Sequence, residues 1–294
     1  MNIYSQQNNA ALGITLVISA MFIFAIQDAI TKILSGGFSA PQILWVRFVV
    51  YAVFALAFSA RKRPLRECLK SRAPFLQLLR SLLIILEIGL FIVAIRYMSL
   101  AEIHALLATF PLMVTGIAAL FLREPVGIRR WAAVFTGFIG VLVILRPGLI
   151  AIQPGALIAL LTALMFAGYN VMTRYVSKYD DGETSTVYTA LIGAVLLSCI
   201  GPFYWAEPTL EQWGLLVCLA LVAATAHFLL IKALEAAPAS TLQPFNYTLL
   251  VFATMIGYAA FGNLPDFWTV VGASIIVGSG LYTIYRERRR KQAD

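Results

Sequence analysis

The sequence predicts an all-α membrane protein whose ten transmembrane helices form two inverted five-helix repeats. The chain of 294 residues is 61% apolar and 12% charged, whereas soluble domains carry about 25% charged residues. It contains ten mainly apolar stretches, and about 20 such residues cross a bilayer as a helix. A nine-residue pattern also occurs twice, at residues 24–32 and 166–174. Together these observations predict a bundle built from two related halves.

The predicted spans follow one another with short connections. They cover residues 12–34, 41–60, 75–96, 102–122, 131–146, 154–175, 185–205, 213–234, 240–261 and 267–285. Hydrocarbon offers no water to backbone groups, and no stretch alternates strictly as barrel strands do, so helices are expected. The first span has no Lys or Arg in residues 1–11 before it and exceeds a usual signal-peptide core, so we expect it to remain in the protein.

Basic residues predict the orientation. The formal net charge is +8, and Lys and Arg concentrate in residues 61–72, 123–130 and 286–291. With ten spans these three clusters fall on one side of the membrane, which the positive-inside rule makes cytoplasmic. We therefore expect a bacterial-type inner (plasma) membrane protein with both termini in the cytoplasm. Anionic lipid is a secondary contact for these clusters, and nucleic acid is not an expected partner.

The repeated pattern divides the chain. FAIQDAITK at residues 24–32 is matched by FAGYNVMTR at 166–174, with Phe, Ala and Thr identical. Residues 11–148 form the first predicted repeat, residues 154–288 the second, and 289–294 a basic cytoplasmic tail. Since each half has an odd number of spans, the second half enters the membrane upside down.

Further motifs support a family resemblance. Residues 121–125 are FLREP, and GFIGV at 137–141 is followed by RPG at 146–148. With the repeated segment, these motifs resemble EamA-type carriers of the drug/metabolite transporter superfamily, and most closely bacterial exporters of aromatic and other amino acids. The second half departs from the pattern at FGNLP, residues 261–265, where the acidic turn residue is missing. The resemblance implies a central cavity lined mainly by spans 1, 3, 4, 6, 8 and 9, with spans 5 and 10 at the periphery.

Polar residues of the repeated segment are candidate site residues. Asp28 precedes Lys32 by one helical turn, and an i,i+4 ion pair is favoured over a substrate contact. Its counterpart Asn170 cannot ionise. Gln27 and Tyr169 occupy matching positions and are candidates to present polar groups to substrate, although neighbouring residues of a helix point about 100° apart.

Two titratable residues lie near the middle of spans. Glu87 in span three either carries a proton or forms a structural ion pair with Arg47 or Arg80, and both interpretations stay open. His227 in span eight either exchanges a proton or is a packing residue. His104, near the external start of span four, is interpreted as an interface marker.

Prolines and aromatic residues complete the predicted site. Pro111 and Pro244 each remove a backbone donor inside an apolar run, so spans four and nine either kink or flex there or simply tolerate the prolines. The two prolines do not align exactly, since residue 111 pairs with Tyr247. Interrupted helices at corresponding places point to a transporter's site, and aromatic rings beside them would accept flat or cationic groups. The predicted substrate-binding residues are Phe24, Gln27, Asp28, Glu87, Thr109, Phe166, Tyr169, Asn170, His227, Gln243, Asn246 and Tyr247.

Missing motifs exclude several activities. The chain has no Gly-x-x-x-x-Gly-Lys-Ser/Thr segment for ATP and no HExxH or GxSxG motif. We expect no enzyme and no cofactor, but a secondary transporter that exports amino acids, aromatic and other neutral ones, and related small amphipathic metabolites or toxic cations by alternating access. A monomer is the working expectation. The alternatives are an intramembrane lipid-modifying enzyme, which would gather His, Asp or Glu near one face, and a solute channel.

Overall fold

The computed structural model describes residues 10–61, 64–121, 128–146, 154–237 and 242–291, and these residues are helical without any strand. The first half contains α1 (Ala10–Ser35), α2 (Ala40–Ala60), the short α3 (Leu65–Cys68), α4 (Pro74–Ala94), α5 (Leu100–Leu107), α6 (Phe110–Phe121) and α7 (Ile128–Leu145). The second half contains α8 (Pro154–Val176), α9 (Gly182–Ile200), α10 (Leu210–Ala236), α11 (Thr248–Phe261) and α12 (Phe267–Lys291). Short 3-10 turns cover Gly201–Tyr204 and Gln243–Tyr247. The all-α prediction is confirmed.

Seven stretches of the described residues are long and apolar enough to cross a membrane: Ala10–Ser35, Ala40–Ala60, Pro74–Ala94, Leu100–Ile117, Pro154–Thr173, Gly182–Tyr204 and Leu210–Leu230. The apolar helices at the other three predicted spans are shorter, at Trp131–Leu145, Phe245–Phe261 and Phe267–Thr283. Every predicted span therefore corresponds to an apolar helix, but only seven of these reach the full crossing length.

Polar caps define where several helices begin. The Ser39 hydroxyl accepts from the Gln42 amide at the start of α2, and Pro41 follows the cap. Ser99 and Glu102 form a reciprocal capping box at the start of α5. Because the first amides of a helix have no partner within it, such caps satisfy groups that hydrocarbon would leave bare.

The helices are interrupted where the prolines predict. Span four breaks between Leu107 and Phe110, directly before Pro111. The Thr109 hydroxyl donates to the Leu106 carbonyl at 2.7 Å and so satisfies an acceptor at the break. In the second half, a 3-10 turn that contains Pro244 precedes α11. Irregular backbone at membrane depth is tolerated where protein or a cavity surrounds it.

The core lies between the two halves. Helix α1 packs on α10 while α4 packs on α8, and α2 packs on α9. Helix α1 also contacts α11, as α8 contacts α5 and α6. Each pairing therefore has a counterpart when corresponding helices of the halves are exchanged.

Helices α7 and α12 form a close pair on each other. A Cβ atom built on Gly272 would lie 2.5 Å from the Gly140 carbonyl oxygen, so only glycine permits this approach of the two backbones. These helices correspond to predicted spans five and ten, and they leave the remaining helices to build the centre of the bundle.

Candidate functional site

Three charged residues lie at one depth in the bundle, and we call them the outer layer. Asp28 is seven residues before the end of α1 at Ser35, and Glu87 is seven before the end of α4 at Ala94. Arg47 is seven residues after the start of α2 at Ala40. At 1.5 Å per residue, each is about 10 Å from the helix end predicted to be external.

The outer layer has charges without fixed partners. Arg47 is close enough to both Asp28 and Glu87 for their charges to interact. Neither Arg47 nor Glu87, however, makes a hydrogen bond or ion pair with another residue in the described ranges, and both are half-buried. Charged groups at membrane depth face a cavity or a partner because burial in hydrocarbon is costly. These two side chains therefore face the interior of the bundle with their polar atoms available.

Asp28 has a different partner from the one predicted. The buried His104 ring places Nε2 3.0 Å from Asp28 Oδ2, and Gln27 Nε2 donates to Asp28 Oδ1 at 3.1 Å. Lys32 Nζ instead donates to the Met98 carbonyl at 2.6 Å. The predicted Asp28 to Lys32 ion pair is wrong, because the Met98 carbonyl just before α5 binds the lysine, while α5 supplies His104 to the aspartate.

The environments of His104 and Gln27 also differ from simple expectation. His104 is 6% exposed and packs beside Phe91, with ring centroids 5.9 Å apart, so its interpretation as an interface marker is wrong. Gln27 is 5% exposed, and its Oε1 has no hydrogen-bond partner among the described residues. An acceptor that is buried and unpartnered beside Asp28 is costly unless a ligand or water uses it.

Aromatic side chains gather on the other side of the bundle centre, and Phe110, Phe166 and Tyr169 are named here the inner layer. The Phe166 ring meets Phe110 edge-on at a centroid distance of 4.9 Å. It lies nearly parallel to Tyr169, at 6.2 Å and 17°. Tyr169 is seven residues before the end of α8 at Val176, so it is about 10 Å from the helix end predicted to be cytoplasmic.

Arg80 holds Tyr169 of the inner layer in place. It is 2% exposed, its Nη1 donates to the Tyr169 hydroxyl at 3.2 Å, and its Cζ lies 5.4 Å from the centre of that ring. Its Nη2 donates to Thr189 Oγ1 at 2.6 Å and to the Ser185 carbonyl. Arg80 is therefore not the ion-pair partner of Glu87. Sequence reasoning left it out of the site, although a lone arginine within an apolar run was the available signal.

A second aromatic group surrounds His227. Its ring meets Phe24 edge-on at 5.1 Å and lies 6.2 Å from Tyr51. His227 makes no hydrogen bond with another residue in the described part of the chain. Phe24 and Phe166 start the two copies of the repeated segment, and each belongs to one of the two aromatic groups.

The other predicted site residues make different contacts. Asn170 Nδ2 donates to the Phe166 carbonyl of its own helix at 2.7 Å, and Thr109 is buried at the helix break. Tyr247 directs its hydroxyl at Gly280 of α12, where a Cβ atom would lie 1.9 Å away. Asn246 is half-buried in the 3-10 turn. The side chain of Gln243 lies outside the described residues.

A polar cluster joins the halves at the end predicted to be cytoplasmic. Asp180 accepts hydrogen bonds from the Ser71 hydroxyl, from the Arg72 amide at 2.8 Å and from Gln77 Nε2 at 2.9 Å. Burial raises the pKa of Asp180, but these three hydrogen bonds outweigh it and hold the pKa below its ordinary value. Gln77 Oε1 also accepts from Arg80 Nε at 3.1 Å, so the cluster continues to the inner layer.

At the opposite end, a pair of hydrogen bonds joins the two halves, and a cleft lies beside it. Gln42 Nε2 donates to the Ala206 carbonyl at 2.6 Å, and its Oε1 accepts from the Ala206 amide at 3.0 Å. An open cleft of about 360 Å³ lies beside this end. Its lining is formed by Lys32, Arg96, Tyr97, Met98, Ser99, Glu102, Asn263 and Leu264. Lys32 lies one turn beyond Asp28, so the cleft borders the outer layer.

An all-helical bundle whose two halves pack against each other, with charged side chains and aromatic rings in its interior, defines a membrane transport protein. The model of the EamA-like transporter family matches residues 11–146 and again residues 153–285. The chain belongs to this family, which confirms the predicted superfamily and the prediction that the protein is a transporter and not an enzyme.

Curated proteins similar to this chain are named for three different transported compounds. A riboflavin transporter of Vibrio cholerae is 29% identical over 286 residues, with 96% of each chain covered. An S-adenosylmethionine uptake transporter of Rickettsia bellii is 25% identical, with 95% of each chain covered. The pseudopaline exporter CntI of Pseudomonas aeruginosa is 25% identical over 90% of this chain and 93% of its own.

A solved crystal structure shares the fold, with a TM-score of 0.61 and 18% identity over 97% of this chain and 99% of that chain. The names of the relatives do not support the expected likeness to exporters of aromatic amino acids in particular.

Proposed function

We propose that this protein is a secondary carrier that moves small amphipathic metabolites with a zwitterionic or cationic group through the centre of the bundle. The observation that carries the proposal is the outer layer. Among the residues that the structure describes, Arg47 and Glu87 have no hydrogen-bond partner, and Asp28 lies beside a Gln27 acceptor that has none either. A protein that maintains such groups at membrane depth uses them on a ligand.

The charges of the outer layer suggest a substrate class. The outer layer holds two carboxyl groups and one guanidinium, on Asp28, Glu87 and Arg47, and this set complements a ligand with two cationic groups and one carboxylate. S-adenosylmethionine has an ammonium, a sulfonium and a carboxylate, together with a flat ring for the aromatic groups. The relatives named as its uptake transporters support it as the first candidate. Neutral amino acids, expected from the sequence, share the ammonium and carboxylate and are the second candidate.

The carrier works by alternating access between two inverted repeats. Two observations support this arrangement: the helix pairings correspond when the halves are exchanged, and both halves are interrupted beside a proline. The Asp180 cluster and the Gln42 contact lie at opposite ends of the bundle and join first-half to second-half residues, as closing contacts on either side of a central site would. In this proposal both termini are cytoplasmic in a bacterial-type inner membrane, as the basic clusters indicate.

Solute counterflow in proteoliposomes tests the proposal. Vesicles preloaded with unlabelled solute are given labelled S-adenosylmethionine, phenylalanine or riboflavin at equal pH on both sides, and a carrier accelerates the exchange of its own substrate only. Glu87→Gln should slow this exchange about tenfold or more, since it removes a charge from the site. Asp266→Asn is the matched control, because that carboxylate is exposed and pairs with Arg146 at the far end of α7.

The outcomes separate the alternatives. A channel would give flux without saturation or exchange acceleration, and an enzyme would alter the solute. Wild-type vesicles that exchange none of the three solutes would overturn the proposed function.

A further inference from the structure

Arg80 and Glu87, which have different surroundings, lie on one face of α4. They are seven residues apart, which corresponds to almost two full turns and about 10 Å along the axis. Arg80 contacts Tyr169 of the inner layer, whereas Glu87 belongs to the outer layer. The two layers are thus stacked along a single line through the bundle.

The polar atoms available to a ligand differ between the two ends. Four of the five N–H donors of Arg80 are taken by fixed neighbours, on Gln77, Tyr169, Ser185 and Thr189. Arg80 therefore has one donor left for a ligand, and its main role is to hold Tyr169 in place. The half-buried rings of Phe166 and Tyr169 remain as the exposed chemistry of the inner layer.

The outer layer has the opposite character. Glu87 and Arg47 have neither hydrogen bonds nor ion pairs within the described ranges, and the nearby Gln27 acceptor is buried and unpartnered. An ammonium would be attracted to Glu87, and a carboxylate to Arg47, since each side chain has its full hydrogen-bonding capacity available. A zwitterionic group thus fits the outer layer, and a flat ring fits the inner layer.

We propose that the site is bipolar and binds an elongated substrate in one orientation, with an amino-acid-like zwitterion at Asp28, Arg47 and Glu87 and a heteroaromatic ring at Phe110, Phe166 and Tyr169. This inference rests on the proposed carrier function and adds the division of labour within its site. The ring end lies toward the face predicted to be cytoplasmic, and the charged end toward the external cleft. Compounds that carry only one of the two ends therefore bind to only one layer.

Fragments of a single ligand separate the two ends. S-adenosylmethionine contains both, methionine only the zwitterion, and adenosine only the ring with its ribose. The dissociation constants of the three compounds are measured by calorimetry on the purified full-length protein in lipid nanodiscs. The variants are Glu87→Gln for the outer layer and Phe166→Leu for the inner layer. Phe135→Leu is the matched control for loss of an aromatic ring, because Phe135 is 64% exposed on α7.

Each variant should weaken the binding of a different fragment. Glu87→Gln should weaken methionine and S-adenosylmethionine about tenfold or more and leave adenosine within about twofold. Phe166→Leu should weaken adenosine and S-adenosylmethionine by about fivefold or more, as the loss of ring stacking predicts, and leave methionine within about twofold. Phe135→Leu should change none of the three.

Three results would overturn the orientation. One is that both variants weaken all compounds by equal factors, another is the reversed pattern, and the third is that wild-type protein binds neither methionine nor adenosine. Each of these is compatible with solute counterflow by the wild type, which would leave the carrier function intact. The absence of counterflow, in contrast, contradicts the carrier function itself.

Discussion

Replacement of Asp180 by asparagine perturbs the contact that joins the two halves at the end predicted to be cytoplasmic. The carboxylate is 8% exposed and accepts from Ser71, Arg72 and Gln77. Asparagine has the same shape but only one acceptor oxygen. If that oxygen keeps the Arg72 amide, its own NH2 group faces the Gln77 NH2 group, and two donors meet.

The magnitude follows from the hydrogen bonds that are lost. Gln77 Nε2 retains Ser185 Oγ at 3.0 Å, and the Ser71 hydroxyl can accept from the new NH2 group instead of donating. The bond from Gln77 is therefore lost outright, and no polar group loses every partner. Such a bond to a charged acceptor contributes about 1.5–3 kcal/mol. A loss of about 2 kcal/mol raises the population in which this contact is open about 30-fold.

Cys68 provides a native reporter for this opening. Its side chain is fully buried in α3, three residues before Ser71, whereas Cys199 and Cys218 are exposed. In a background with both exposed cysteines replaced by serine, the rate of maleimide labelling of Cys68 follows the open population. Asp180→Asn should raise this rate about 30-fold at constant pH. Asp266→Asn, which changes an exposed helix-capping carboxylate, should leave the rate unchanged.

Two results would contradict this role of Asp180. Labelling of Cys68 within about twofold of the wild-type rate would show that the Asp180 hydrogen bonds do not hold this segment closed. An equal increase in the Asp266→Asn variant would show that any loss of a carboxylate loosens the bundle.

Three further predictions follow from the contacts. The pKa of Asp180 is lower in the folded protein than its ordinary value of 3.8. The ionised carboxylate therefore stabilises the fold fully above that value, and this stabilisation is lost as the pH falls below it. Hydrogen exchange of the Arg72 amide, corrected for intrinsic rate, should stay constant from about pH 8 to 5, and loss of protection within that range would refute this. Gly272→Leu should lower the melting temperature in detergent and reduce the free energy of unfolding by about 1–3 kcal/mol or more, because the new Cβ meets the Gly140 backbone. Gly278→Leu is the control on the same helix and should leave the melting temperature unchanged, since a Cβ there meets open space. Gln42→Leu should leave the Ala206 amide and carbonyl without their Gln42 partner and destabilise the protein by about 2–4 kcal/mol, measured in the same melting assay. An unchanged melting temperature would show that water replaces the side chain.

The sequence by itself determined the helices and the class of protein. Apolar length and composition are sufficient for this because each backbone group in hydrocarbon must be satisfied within its own helix, so a span is a local property. The breaks beside Pro111 and Pro244 were predictable for the same reason, since a missing backbone donor acts on its own turn. The doubled motif and the turn segments were enough to indicate the family, and the role of Glu87 at the substrate site stays a prediction.

Only the tertiary structure decided which side chains meet. His104 of α5 lies 76 residues from Asp28 in the chain and yet contacts it, whereas the neighbour chosen from sequence spacing, Lys32, binds a carbonyl instead. Arg80 obtains its partners from α8 and α9 in the second half, and Tyr247 turns to Gly280. These contacts depend on how each helix is rotated about its axis and packed against others that are distant in the chain, and helical periodicity alone leaves that rotation undetermined.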